Sequence, residues 1–470
     1  MSEKTKEMKE KLFYSKKSAY ESEGINGVDA AFEFARGYAE FIDKAKTERE
    51  AVCEGIKILE AHGFSEYKLG ADVKAGDKLY FNNRGKSLLA FVIGSEPLER
   101  GIRISAAHVD SPRIDLKQHP VYENNGFGYF KTHYYGGIRK YQWTTIPLAL
   151  HGVVVKADGE TVNVTIGEDD GDPVFCITDL LPHLAKDQAT KPLDAAFTGE
   201  GLNILIGSRP YATEDDPYKT NEPDERVKLA ILKYFNDKYG ITEPDFMSAE
   251  LSIVPAGKSR DIGLDRAMIG AYGHDDRVCA YPILMAVAEL EAPEKTAMCI
   301  FADKEETGSQ GNTGMQSRVL VDIISELSRT LGADEHVVRA NSLCLSADVS
   351  AGFDPNYPEV YELRNSAICG SGVVMTKFTG ARGKGNTNDA SAETVGTLRR
   401  IFDEAGVVWQ TAELGKVDQG GGGTVAMYIA NHNIDTIDLG VPVLSMHAPF
   451  EIISKVDLYE AYKAHVAFNK

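Results

Sequence analysis

Apolar residues recur at threes and fours over Ala30–Lys44 and over Thr47–His62, which predicts two amphipathic helices, the second stopped by Gly63. The pattern then changes to short apolar runs, SLLAFVIG at 87–94 and GIRISAAHVD from Gly101, which read as strands buried on both faces. From about residue 112 to 258 the texture differs. NNGFGYFKTHYYGG reads as aromatic, Gly-rich loop, and HGVVVKADGETVNVTIG reads as two strands joined at Asp158-Gly159. A polar stretch from about Lys186 to Glu225 is expected to be mobile, and a helix (ERVKLAILKYFNDKYG) and a strand (AELSIVPAG) follow it. After residue 259, strands (AMCIFAD, SLCLSAD, GVVMTKF, TIDLGVPV) alternate with helices (RVCAYPILMAVAEL, GMQSRVLVDIISELSRTL, AETVGTLRRIFDEA, KVDLYEAYKAHVAF). Pro282 is placed near the start of the first of these helices, where proline is tolerated.

This alternation predicts an α/β protein: a three-layer α/β/α domain, 1–111 with 259–470, around a mixed, mostly parallel sheet. Residues 112–258 are read as an inserted α+β domain. The length, 470 residues, suits two such units.

Composition removes several function classes. A formal net charge of -19 repels phosphate backbones, which argues against a nucleic-acid partner. No run approaches a membrane span, and the N-terminus lacks a signal-peptide core. The six cysteines form no CxxC pair, and several sit in apolar runs, as buried free thiols do in a reducing compartment. The expected location is the cytoplasm.

The candidate chemistry sits just past the apolar strands. His108 and Asp110 follow IRISAA, Glu305 and Glu306 follow CIFADK, Asp348 follows CLSA, and His447 follows VPVLSM, while Asp275 and Asp276 lie in YGHDDR. Ligands of open α/β sheets bind outside the carboxyl ends of the strands, so residues far apart in sequence can meet there. Taken singly, the Asp-Asp pair suits a helix cap and the Glu-Glu pair a solvated turn. Taken together, two His and three carboxylates suit zinc, cobalt or manganese. Three carboxylates and two neutral imidazoles around two dications leave about +1, which a hydroxide neutralises; one dication would leave the site negative. Glu305, beside Glu306, is then free to carry a proton, and Asp110 to hold the His108 tautomer. The Gly420–Gly423 run lacks the Lys-Ser/Thr ending of a phosphate loop. His119, His133 and His151 read as structural.

At these residues the chain resembles the aspartyl aminopeptidase and vacuolar aminopeptidase I family of dinuclear zinc metallopeptidases. The matching segments, in order, are SAAHVDSPR (105–113), HDDR (274–277), DKEETGS (303–309), SADVSAGFDPNYP (346–358) and LGVPVLSMHAPFE (439–451). The resemblance implies a metal-dependent aminopeptidase that removes acidic or neutral N-terminal residues from peptides through a water activated by two metals. His108 and Asp348 would hold one Zn2+, Glu306 and His447 the other, with Asp275 bridging them through a non-proline cis peptide to Asp276; Co2+ or Mn2+ could substitute. Glu305 would be the general base and Asp110 would orient His108. His183, in LLPHLAKDQ (180–188), would reach a neighbouring subunit's active site. The inserted domain would form dimers that build a tetrahedral dodecamer. The stretch 373–391 departs from the family pattern, and within it Lys377, Arg382 and Lys384 are candidate cations for an acidic substrate side chain. A deacylase of N-acyl amino acids and a non-catalytic shell protein are the rival readings.

Overall fold

A computed structural model describes residues 1–218 and 225–470 of the chain. The apolar runs form a nine-stranded sheet whose middle is four parallel strands, Ala297–Ala302, Arg103–His108, Leu343–Ser346 and Asp435–Gly440. Ser87–Val92 flanks them antiparallel on one side and Val373–Thr376 on the other, so the sheet is mixed. Alternate residues serve opposite faces, as a pleated strand requires. Cys299 and Phe301 pack with the helices Ala19–Lys44, Glu48–Ala61, His274–Ala288 and Lys455–Asn469. Met298 and Ile300 pack with the helices Val319–Leu331 and Ala426–Ala430. The result is the three-layer arrangement expected from strands apolar on both faces.

The second sheet has six strands, all within 113–255 and all antiparallel. It buries its own core, centred on Phe130, Trp143 and Phe235, against the helix Arg226–Tyr239. A third, five-stranded sheet runs from Arg260–Ile262 to Ser350–Ala351. Among the described residues no helix is long and apolar enough to cross a membrane.

Three expectations need correcting. The aromatic stretch after residue 112 is not loop: Arg113–Asn124 and Phe127–Tyr135 form a hairpin. Asn125 and Gly126 both take positive φ, 48° and 77°, the two-residue turn that asparagine-glycine favours. The polar stretch contains the short helices Lys186–Ala189 and Leu193–Ala196, and the strand Ile204–Gly207 pairs with the edge of the second sheet. Residues 219–224 of that stretch lie outside the described residues. Pro282 sits inside the helix His274–Ala288 rather than at its first turn.

One buried charge cluster ties the first helical layer to the second sheet. Thr47 and Glu50 cap the helix Glu48–Ala61 reciprocally, with the Glu50 carboxylate accepting from the Thr47 N–H at 3.0 Å. The other Glu50 oxygen lies 2.7 Å from His151 Nδ1, and Glu168 lies 2.9 Å from His151 Nε2. Lys46 Nζ meets the same Glu168 oxygen at 2.6 Å. Both His151 nitrogens face carboxylate oxygens, so both must donate and the ring is an imidazolium. Burial opposes that charge, but Glu168 and Glu50 outweigh it and raise the His151 pKa. A raised folded pKa means the contribution is complete below the ordinary value of about 6.5 and fades as pH rises through the folded value. His151→Gln is therefore expected to lose about 1–3 kcal/mol in urea unfolding at pH 6, with the gap from wild type narrowing towards pH 10. A gap that stays constant across that range would show that His151 contributes packing rather than charge.

Candidate metal centre

The four parallel strands end at one edge of the nine-stranded sheet, and three of them end on or just before a candidate ligand. His108 is the last residue of its strand, Glu305–Thr307 is a turn just after Ala302, and Asp348 follows Ser346. Asp275 opens the central helix, and its peptide to Asp276 is cis. His447 follows the third-sheet strand Pro442–Leu444.

These side chains converge. Asp275 Oδ1 lies 3.1 Å from His108 Nε2, and Asp275 Oδ2 lies 3.2 Å from His447 Nε2. His447 Nε2 is 3.6 Å from Glu306 Oε1. Two sets, His108–Asp275–Asp348 and Asp275–Glu306–His447, each bring their ligand atoms within 4.8 Å of one another, and Asp275 belongs to both. A third set, His108–Glu305–Glu306, meets the same limit. Glu305 Oε2 stands 4.0 Å from His108 Nε2, so the adjacent glutamates diverge, one toward each histidine.

The tautomers suit ligation. His108 Nδ1 donates to the Asp110 carbonyl at 3.0 Å, and His447 Nδ1 donates to the Gly137 carbonyl at 2.9 Å. Each Nε2 lone pair is thereby turned into the cluster. Gly137 can come this close because it has no side chain: a Cβ there would lie 3.2 Å from His447 Nδ1. At Gly136, with φ of +70°, a Cβ would lie 3.2 Å from Glu306.

The electrostatics call for cations. Asp275 Oδ1, Glu306 Oε1 and both Asp276 oxygens are buried without a hydrogen-bond partner among the described residues. Burial pushes the Asp348 and Glu306 carboxyls well above the usual range, and Asp276 and Asp275 respectively add to the shift. Burial likewise carries Glu305 up to about 7. The positive groups that act on them are the His108 and His447 imidazoles, and divalent cations are the partners that oxygen and imidazole donors in this arrangement fit.

Two supporting carboxylates frame the cluster. Asp110 lies with one oxygen 3.4 Å from His108 Nδ1, and it also accepts from the Glu305 N–H at 3.1 Å, the Glu306 N–H at 3.2 Å and the Tyr135 hydroxyl at 2.7 Å. It therefore fixes the glutamate turn as much as the imidazole. Glu451, absent from the sequence-based candidates, accepts from the Asp275 N–H at 3.0 Å and the His447 N–H at 2.6 Å. Its place four residues past His447 in MHAPFE was the available signal.

The remaining candidates lie elsewhere. His183 sits in the exposed turn Pro182–Leu184 and belongs to none of the ligand sets among the described residues. Lys377 and Lys384 both pair with Asp389, and Lys384 also stacks on Phe378 at 3.8 Å. Arg382, in the same turn, has positive φ.

A family model described as aminopeptidase I zinc metalloprotease (M18) matches residues 41–469. A probable M18 family aminopeptidase 1 from Clostridium acetobutylicum is 50% identical over 460 residues, covering 96% of this chain and 97% of its own. Its counterpart from Thermotoga maritima is 46% identical over 437 residues, covering 92% and 94%. The crystal structure of the M18 aminopeptidase from Thermotoga maritima superposes with a TM-score of 0.91 at 43% identity, covering 97% of this chain and 100% of that one. A structure of the yeast mApe1 dodecamer, at 22% identity and a TM-score of 0.75 over 94% of this chain and 97% of that one, shares the fold.

Glu451→Gln keeps the size of the side chain but turns an amide N–H2 toward one of the two backbone N–H groups. Zinc retained after dialysis against a chelator is expected to fall, with affinity lower by roughly 10–100-fold. Retention equal to wild type would remove Glu451 from the support of Asp275 and His447.

Proposed function

The chain belongs to the aminopeptidase I family of zinc metalloproteases (M18), and from that premise we propose that it removes neutral N-terminal residues from peptides at a two-zinc centre bridged by Asp275. The observation that carries this reading is the Asp275 carboxylate, whose two oxygens are divided between His108 and His447 at 3.1 and 3.2 Å. His108 and Asp348 would hold one ion and Glu306 and His447 the other. When bound, the metals would supply Lewis-acid chemistry to the scissile carbonyl and the attacking water. Glu305, which hangs beside His108 without being needed as a ligand, takes the proton from that water and delivers it to the leaving amine. Asp110 keeps both the His108 ring and the Glu305–Glu306 turn in place.

A neutral first residue is favoured because two of the three candidate cations, Lys377 and Lys384, already have Asp389 as counter-ion. An acidic side chain would have to displace that carboxylate. Cytoplasmic residence accords with six unbridged cysteines.

Residues 112–258 are read as a dimerisation insert between the catalytic segments 1–111 and 259–470. Leu180, Leu181 and Leu184 around His183 are at least half exposed, which suits a segment covered by another copy. On this reading dimers build a tetrahedral dodecamer, and His183 enters the active site of a neighbouring subunit.

Zinc-loaded enzyme is expected to cleave leucyl- and alanyl-nitroanilides faster than the aspartyl compound, and to fail when the amino group is acetylated. Turnover of the acetylated substrates would instead mark a deacylase. Glu305→Gln should retain zinc and lose about 10²–10⁴-fold in kcat, and wild-type turnover by it would dismiss the proton-carrier role.

The assembly has its own check. Light scattering should give a mass near twelve chains, and His183→Ala should lower kcat without changing that mass. A monomer in solution, or an active His183→Ala variant, would remove the shared-site arrangement.

A further inference from the structure

The link 109–112 joins the strand that ends at His108 to the first strand of the second sheet, Arg113–Asn124. Short as it is, it meets the segment 272–275 at two points. The Tyr272 hydroxyl donates to the Pro112 carbonyl at 3.0 Å, and the Ser111 hydroxyl donates to the Asp275 carbonyl at 2.6 Å. Both donors are buried, Tyr272 at 7% exposure and Ser111 at 0%. Gly273 lies between the two contacts with φ of +79°. A Cβ there would lie 1.9 Å from Arg277 Nη1 and 3.1 Å from Ser111 Oγ, so a side chain at this position would push the two segments apart.

The main chain of Asp275 is held at both ends. Glu451 accepts from its N–H at 3.0 Å, and Ser111 donates to its carbonyl. The residue before it is locked as well. His274 Nε2 lies 3.1 Å from the Ile269 carbonyl, which can only accept, so Nε2 carries the proton and Nδ1 accepts from the Tyr38 hydroxyl at 2.6 Å. Of these contacts, the one from Ser111 comes from the segment that also carries His108. That segment sets the His108 ring too, since His108 Nδ1 donates to the Asp110 carbonyl at 3.0 Å. The link therefore fixes the imidazole and, through Ser111, the backbone of the carboxylate that stands 3.1 Å from it.

A buried hydroxyl bonded to a carbonyl resists displacement, because a shifted carbonyl leaves two polar groups without partners in a dry interior. An aspartate side chain has two rotatable bonds, so its carboxylate follows closely where its own backbone is held. Ser111 belongs to none of the ligand sets among the described residues, so any effect it has on an ion passes through Asp275.

We propose that Ser111 is a positioning residue for the bridging carboxylate. Its hydroxyl ties the His108 segment to the Asp275 carbonyl and so sets the spacing of the two ligand groups that meet at the first ion site. The inference rests on the two-zinc reading above and is independent of which peptide is cleaved.

The test strips metal from the full-length chain and titrates it with Co2+, read by calorimetry and by visible absorption, whose bands report the geometry of the ligands. Wild type is expected to take two ions per chain. Ser111→Ala is expected to bind roughly 10–100-fold more weakly and to shift the visible band. Tyr272→Phe breaks the neighbouring bond without touching Asp275, and is expected to keep the wild-type affinity and band. Wild-type affinity and band in Ser111→Ala would overturn the proposal. So would an equal loss in Tyr272→Phe, which would make Ser111 one contact among many in the packing of the two segments. Wild type that takes fewer than two ions would overturn the two-zinc reading together with this inference, whereas two ions and an unresponsive Ser111→Ala would remove this inference alone. A crystal of cobalt-loaded wild type decides the matter even if the alanine variant fails to fold. Ser111 Oγ is expected within hydrogen-bonding distance of the Asp275 carbonyl, and a hydroxyl turned away from it would overturn the assignment.

Discussion

The site depends on one carboxylate held between two imidazoles. Asp275 reaches His108 with one oxygen and His447 with the other, and these residues come from a helix start, a central strand and a distant loop. Nothing local to any of the three segments would put them together. Two sheets do: the nine-stranded sheet ends the strand Arg103–His108 at this edge, and in the third sheet Glu451–Ser454 pairs with both Met268–Ala271, which precedes Asp275, and Pro442–Leu444, which precedes His447. The pairing places more buried carboxylate than imidazole can neutralise, an arrangement that fits bound cations.

Such a cluster is held by its surroundings rather than by its own attraction, since like charges in a low dielectric repel. Asp110 and Glu451 do this from opposite sides. Both spend their oxygens on backbone N–H groups: Asp110 on Glu305 and Glu306, Glu451 on Asp275 and His447. Backbone donors are fixed by the fold, so each ligand-bearing turn is set before any ion arrives. The ring nitrogens facing away from the cluster are held the same way, by the carbonyls of Asp110 and Gly137.

Much of this was legible in the chain. Apolar runs on both faces of a strand forced a covered sheet, and ligand-type residues just after three of those runs marked its edge, while the run before His447 divides between that sheet and the third. What could not be read came from pairings made at long range. Glu451 looks like a surface glutamate in MHAPFE until the third sheet folds it beneath Asp275. Asp438 reads as one polar residue in an apolar strand, and only the register shows it paired with Ser346 and Thr376. The hairpin at Asn125-Gly126 was a different kind of omission: the turn signal was present, but the aromatic density around it masked the alternation. His151 took its charge from carboxylates brought in by a helix cap and a loop, which spacing alone does not reveal.

The second sheet is also part of the site. Tyr135, the last residue of its hairpin, donates to Asp110, and Arg113, the first, lies over the Tyr135 ring at 4.2 Å. Two residues on, the Gly137 carbonyl sets the His447 tautomer, and the glycine pair passes against Glu306 and His447 where any Cβ would crowd them. The six-stranded sheet therefore supplies a support to both histidines of the cluster. An insertion that served assembly alone would have no reason to touch them. Tyr135 and Gly137 are therefore the points where that sheet, whose strand Leu148–Val155 carries His151, meets the cluster.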